Sequence, residues 1–346
     1  MNRCHAMIRC LLCLSLLLGI IPLASAAEVL RVLAWDGYAD AEVVAGFERR
    51  TGAKVEVTYA SSDDDLWDKL HDKTRTYDVF AVNTAELQRY IADGLALPLD
   101  LSRIPNHARQ LPRFRDLSAI GGLVHDGKTY AVPYTYSEMG LIYNRKLVKQ
   151  PPHSIAALWS PQYQGRVLAF NTSNHNFSLA ALKLGLHDPF QLSPSEMRRA
   201  ARELVQLRRN VLTFYATTEE VVDWMRRYDV ALVFANFGTQ QVKALRDAGM
   251  DIGYVIPREG ALAWLDCWAV SHDVRDAALA LRWVDYTLEP QVSERLTRVH
   301  GRANTVTPFP DSRPDARILW LQPLEDAAAR KALWDRVLSG ETPEGF

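Results

Sequence analysis

Cysteine is almost absent from the working part of this 346-residue chain. Cys4, Cys10 and Cys13 fall near the start, and only Cys267 follows. Removal of the N-terminal segment leaves no pair to form an internal disulfide. Stability must come from packing, and the roughly 320 remaining residues suffice for two cores. An excess of one charge is also lacking. Lys plus Arg number 40 and Asp plus Glu 41. No Lys/Arg block forms a phosphate-binding patch, which argues against a nucleic-acid partner. The nine His residues show no H-x-x-x-H spacing, so no metal site and no cofactor is expected. Long apolar runs are missing but for Leu11–Leu23. That run follows Arg3 and Arg9 and precedes Ala24-Ser25-Ala26. It reads as a signal peptide over 1–26, cleaved near Ala26, and is too short for a confident membrane span.

Strand and helix patterns alternate from Val29 onward. Val29–Ala34, Lys54–Tyr59 and Tyr77–Val82 read as strands. Glu42–Arg50, Ser62–Leu70 and Thr84–Ala92 read as helices between and after them. The pattern changes near Tyr130–Tyr136 and restarts with a strand at Arg166–Phe170 and a helix at Phe177–Gly185. Ser193-Pro194-Ser195-Glu196 is a capping box opening the helix Glu196–Arg209. Val230–Phe234 and Ile252–Ile256 read as strands around a helix at Gln240–Ala248. Two α/β units with mainly parallel sheets are predicted, joined by short connections that suit a hinge.

Two motifs tempt and fail. Gly122 to Thr129 matches G-x-x-x-x-G-K-[ST]. The continuation Tyr130-Ala131-Val132-Pro133-Tyr134 is strand-like, so no helix N-terminus can face a phosphate. Asp126-Gly127 predicts a hairpin instead. Cys267 next to Asp266 resembles a thiol nucleophile, but no local base accompanies it. A buried small hydrophobe is the better reading.

Chemistry gathers where acids sit among aromatics. One cluster is Trp35-Asp36-Tyr38 after the first strand. The other is Trp264-Asp266-Trp268. Ring faces attract an ammonium by roughly 0.5–2 kcal/mol each, and a carboxylate adds charge-assisted hydrogen bonds. Ligands of α/β sheets bind at the carboxyl ends of strands. Ser61-Ser62 and Asn83-Thr84 follow the second and third strands there, and Ser62 and Thr84 also read as helix caps.

These residues resemble the periplasmic solute-binding proteins of ABC importers, in particular the polyamine (spermidine/putrescine) group. The likeness is carried by A-W-D-G-Y at 34–38, Y-D-V-F-A-V-N-T at 77–84 and Y-A-V-P-Y at 130–134. L-W-S-P-Q-Y-Q-G-R-V-L at 158–168, A-L-K-L-G at 181–185 and E-G-A-L-A-W-L-D at 259–266 extend it. The resemblance implies a two-lobed α/β fold of the type II periplasmic-binding kind, with crossover strands and a cleft between lobes. Lobe one would hold 27–134 and 259–301, and lobe two 135–258 and 302–346. Trp35, Tyr38 and Trp264 would pack on the ligand, Asp266 would hold an amine, and Tyr136 and Gln322 would contact it. Asp36, Ser61, Asn83 and Thr84 complete the first wall.

The sequence departs from that family in the second lobe. The family's second acidic cluster falls here on a loop, Asn171-Thr172-Ser173-Asn174-His175, with no acid. Asn236 stands near a family Trp, and Arg302 aligns with a family Tyr. Thr172, His175, Asn236 and Arg302 therefore become candidate contacts at the end opposite Asp266. The expected protein is a monomeric periplasmic receptor that performs no covalent chemistry. It would capture a polyamine and deliver it to an inner-membrane ABC permease. An ω-amino acid or other zwitterionic amine, held by Asp266 and Arg302, is the alternative ligand. Service to a membrane signalling receptor is the alternative role.

Overall fold

The computed structural model describes residues 28–310, 313 and 315–346. The expected signal segment lies outside the described residues. In chain order the strands begin with β1 (Val29–Trp35), β2 (Lys54–Ala60), β3 (Val79–Asn83), β4 (Ala96–Leu97) and β5 (Val124–His125). There follow β6 (Lys128–Thr129), β7 (Ala131–Met139), β8 (Leu141–Asn144), β9 (Val167–Phe170) and β10 (Val211–Tyr215). The last are β11 (Leu232–Phe234), β12 (Ile252–Val255), β13 (Ala261–Ser271), β14 (Ala303–Asn304) and β15 (Ile318–Trp320). The first sheet has the order β14-β7-β13-β3-β1-β2, with β4 and β15 paired at opposite ends of β13. The second has the order β10-β9-β11-β8-β12.

Both sheets are mixed, whereas strand–helix alternation predicts mainly parallel ones. β1 runs parallel to β2 and β3, but β13 is antiparallel to β3 and β7. Likewise β9 is parallel to β10 and β11, while β8 is antiparallel to β11 and β12. The antiparallel strands belong to segments that pass between the sheets. They arrive without the helical crossover that a parallel neighbour requires.

Each sheet is covered on both faces. Val32, Ala34, Phe47, Trp268 and Trp283 share one core of the first sheet, and Leu33, Phe80, Tyr90, Phe114 and Cys267 the other. Adjacent residues point to opposite cores, as a two-residue period demands. Cys267 is fully buried there. In the second sheet Val167, Phe177, Leu204 and Trp334 pack on one face, and Leu168, Tyr215 and Val233 on the other.

Sheet membership differs from the lobe boundaries expected from sequence. β7 stays in the first sheet to Met139, past residue 134, and Gly140 alone separates it from β8. A Cβ on Gly140 would lie 2.6 Å from the Val255 carbonyl oxygen. Only glycine allows the two crossing segments to approach so closely. β14 and β15 also join the first sheet, so residues 303–304 and 318–320 do not belong to the second lobe. These strands are too short to carry a periodic signal. The helix Ala327–Ser339 returns to the second lobe, burying Trp334 and Val337 against Leu179 and Leu204.

Local signals were reliable where the chemistry is local. Ser193 and Glu196 form the capping box, and Ser62 caps Asp63–His71. Asp126 (φ 48°) and Gly127 (φ 71°) make the hairpin turn between β5 and β6. The paired positive φ values are those of a type I′ turn. Asn83, rather than Thr84, caps Thr84–Ala92 by accepting from the Glu86 amide. The helix expected from Phe177 begins at Ser173, so 173–175 is a helical turn and not a loop. Its polar first turn has no apolar spacing to announce it.

Arg330 locks the C-terminal helix down. It is 0% exposed and donates to Glu325, to the Asn174 and Pro189 carbonyls and to Ser178 Oγ. Arg330→Met should cost roughly 3–5 kcal/mol, because it strands a carboxylate and three further acceptors. Urea unfolding monitored by circular dichroism checks this, and a loss under 1 kcal/mol would refute it.

Candidate functional site

The first wall is built at the carboxyl ends of β1, β2 and β3. After β1 the chain turns through Gly37 (φ 80°), and the Tyr38 amide donates to the Trp35 carbonyl at 3.1 Å. That turn sends Tyr38 into the core, where it is 1% exposed. Its ring meets Tyr134 edge-on at 5.6 Å. Its hydroxyl donates to Asp266 Oδ2. Asp266 lies on β13 opposite Asn83 of β3 and Thr135 of β7, next to a register shift.

Asp266 is 8% exposed, and Tyr38 is its one hydrogen-bond partner among the described residues. Burial pushes its carboxyl up to about 7. The Tyr38 hydroxyl opposes that shift, the nearby Asp63 adds to it, and Arg302 opposes it. The result is a buried acid whose second oxygen is free to take a donor.

Asp63 was not singled out in the sequence, where the run Asp63-Asp64-Asp65 reads as a helix-dipole device. Its carboxylate accepts from Asn83 Nδ2 at 3.0 Å. Burial pushes it up to about 6, with Glu86 adding and Arg89 opposing. Burial also raises the Glu86 carboxyl. Glu86 is paired with Arg89 at 2.7 Å. An acid directly after a strand's carboxyl end was the only signal available.

A cleft of 630 Å³ separates this wall from the second lobe. Asp63, Asn83 and Glu86 line one side, Asn174 and His175 the other, and Gln322 the connecting segment. His175 Nδ1 bonds Asn236 Oδ1 at 2.7 Å. Burial pushes its imidazole below the usual range, so it is neutral at pH 7. Trp264 Nε1 donates to the Asn236 carbonyl at 3.4 Å, from the first sheet to the second lobe.

The structure does not gather every residue singled out. Asn83, His175 and Gln322 line the cleft, with Asn236 behind His175. Thr172 is the extended residue before Ser173–Lys183 and makes no side-chain cap. Trp35 packs between the two cores of the first sheet, and Asp36 is exposed at the turn. Ser61 Oγ is engaged by Asp65 at 3.0 Å. Thr84 is 1% exposed and its hydroxyl has no partner among the described residues. Tyr136 is 2% exposed and packs on Phe114 at 5.0 Å, in the core. Arg302 corrects the expected geometry. Its guanidinium stacks 5.0 Å over Tyr38 and donates to the Asp36 carbonyl at 3.3 Å. It stands beside Asp266 in the first lobe, not at the opposite end, because β14 carries it into the first sheet.

Known proteins share this plan. A family profile described as bacterial extracellular solute-binding protein matches residues 42–318. The spermidine/putrescine-binding periplasmic protein 1 of Haemophilus influenzae is 24% identical over 281 residues, 80% of this chain and 75% of that protein. The spermidine/putrescine substrate-binding protein PotD of Streptococcus pneumoniae superposes with a TM-score of 0.76 at 19% identity, over 91% of this chain and 99% of the other. The Atu4243 GABA receptor gives 0.70 at 18% identity, over 90% and 97%.

Replacing Tyr38 by Phe removes the hydroxyl that favours ionised Asp266. The Asp266 carboxyl should then titrate above its present value of about 7. Carbon-13 NMR of the labelled carboxyl checks this, and an unchanged or lower midpoint would contradict the assigned bond.

Proposed function

This chain belongs to the bacterial extracellular solute-binding proteins, and we propose that it captures a small primary amine of the polyamine class in the periplasm for an ABC permease. One observation carries the reading: a carboxylate buried beneath Tyr38, with one oxygen unengaged among the described residues, lies across the β3–β13 ladder from Asn83, which lines the inter-lobe cleft. An ammonium supplies both the charge and the hydrogen bonds that this acid lacks. Relatives that are named for spermidine and putrescine support the class. The binding role needs no covalent step.

The second lobe supports a zwitterionic amine as the second reading. Its cleft side presents Asn174, neutral His175 and Ser178, with no carboxylate among the described lining residues. A diamine would place its far ammonium against neutral acceptors there. Of these, the Asn174 amide could donate to a carboxylate, whereas the Nδ1–H of neutral His175 is donated to Asn236 and the Ser178 hydroxyl to the Pro189 carbonyl. Arg302 plays no part at that end, since it stacks on Tyr38.

A thermal-shift screen of the mature chain against polyamines and amino acids tests both. A ligand at a hundred times its dissociation constant should add about 2.7 kcal/mol. Silence from every primary amine would overturn the proposal. Asp266→Asn should weaken binding by about 2–5 kcal/mol, the range for truncating a buried charge pair. The native carboxyl holds its proton to higher pH than an unfolded Asp. Its contribution to stability therefore falls as pH rises from the ordinary aspartate value towards about 7. The amide avoids that loss, so the free variant should melt no lower than wild type at pH 8. Unchanged affinity in a folded variant would remove Asp266 from the site. The glycine-spaced crossings further predict that ligand lowers the radius of gyration in solution scattering, and superimposable free and bound profiles would remove the hinge.

A further inference from the structure

Asp63 and Asp266 come from distant parts of the chain, yet one side chain connects them. Asn83 stands across the β3–β13 ladder from Asp266, and its Nδ2 donates to Asp63. Asp63 is half-buried and lines the cleft. The cations nearby are held by other groups, although the buried Arg302 Nε has no hydrogen-bond partner among the described residues. Arg89 pairs with Glu86 at 2.7 Å, lies 4.4 Å over Trp67 and donates to the Asp63 carbonyl oxygen at 3.3 Å. Arg302 stacks on Tyr38. Asp266 is bonded to Tyr38 and feels the charges of Asp63, which raises its carboxyl, and Arg302, which lowers it, with Cys267 beside it on β13. Asp63 faces Asp64, Glu86 and Arg89. One oxygen of the Asp266 carboxylate, nine-tenths buried, remains without a donor among the described residues.

We propose that Asp63 is a second anionic partner of the bound ammonium, so that Asp63 and Asp266 seat one cation together and release a proton when it arrives. The proposal rests on the reading of the cleft as an amine site. Two neighbouring carboxylates in a poorly hydrated site do not both ionise readily. Both are raised here, Asp63 to about 6 and Asp266 to about 7. An alkylammonium, with a pKa near that of Lys at about 10, stays charged throughout this range. Its arrival favours both ionised forms, and the displaced proton passes to solvent. Binding below pH 6 must therefore expel a proton. Affinity should rise as pH climbs through 6 and 7 and level off above.

Calorimetric titration of putrescine and 4-aminobutyrate into the mature chain tests this, in phosphate and in ACES, both of which titrate near neutrality and carry no primary amine, at pH 6 and pH 8. The two buffers differ in ionisation enthalpy, so proton release appears as a difference in heat. The wild type should release protons at pH 6 and bind about tenfold more tightly at pH 8, as linkage requires for one shared proton. Asp63→Asn should still bind, about tenfold more weakly at pH 8, and release fewer protons at pH 6. Asp63→Ser, also compatible with the helix start, should behave alike and guards against a folding defect in one variant. Wild-type affinity and wild-type proton release in both folded variants would overturn the role of Asp63 while leaving the amine site standing. No binding of either compound to the wild type would sink the amine reading and this proposal with it.

Discussion

The burial of Asp266 beneath Tyr38 is the constraint on which the rest of the site depends. A carboxylate that deep is costly to ionise without a partner, and the first lobe supplies one hydroxyl. The shortfall is a binding energy in waiting. It is created by ordinary packing: Gly37 turns the chain, Tyr38 enters the aromatic group of Tyr134 and Trp268, and β13 brings Asp266 beneath it. Stability and recognition therefore oppose one another at this residue, as they commonly do at binding sites.

The two-sheet architecture converts that local shortfall into a cleft. β7 and β13 lie side by side in the first sheet, and each connects directly to a strand of the second. Gly140 lets the crossings touch at the Val255 carbonyl. Trp264 and Asn236 bond from one lobe to the other beside the cleft. The acidic wall thus stays with one rigid sheet, while the neutral wall of Asn174 and His175 stays with the other. Recognition is asymmetric: charge on one side, neutral hydrogen-bonding groups on the other.

Much of this was legible from residues alone, and the remainder failed for identifiable reasons. Caps and turns such as Ser62, Ser193-Glu196 and Asp126-Gly127 depend on neighbours a few positions away, and they appear as read. The acid of Trp264-Asp266 was visible because aromatic neighbours at that spacing are unusual. Asp63 was not, because its place beside Asp266 follows from the pairing of β3 with β13. Arg302 was assigned to the wrong wall because the two-residue strand after it leaves no periodic trace. Tyr136 is aromatic in a suitable place in the sequence, but the two-residue period of β7 turns it onto Phe114. Long-range register decided each of these positions, and a single sequence encodes it only weakly.

A crystal structure of the protein with bound putrescine tests the central claim most directly. The account predicts a terminal nitrogen about 2.7–2.9 Å from the Asp266 oxygen that Tyr38 does not occupy, the spacing of a charge-assisted hydrogen bond. A ligand seated in the cleft with both nitrogens bound elsewhere, and Asp266 still bonded to Tyr38 alone, would contradict it.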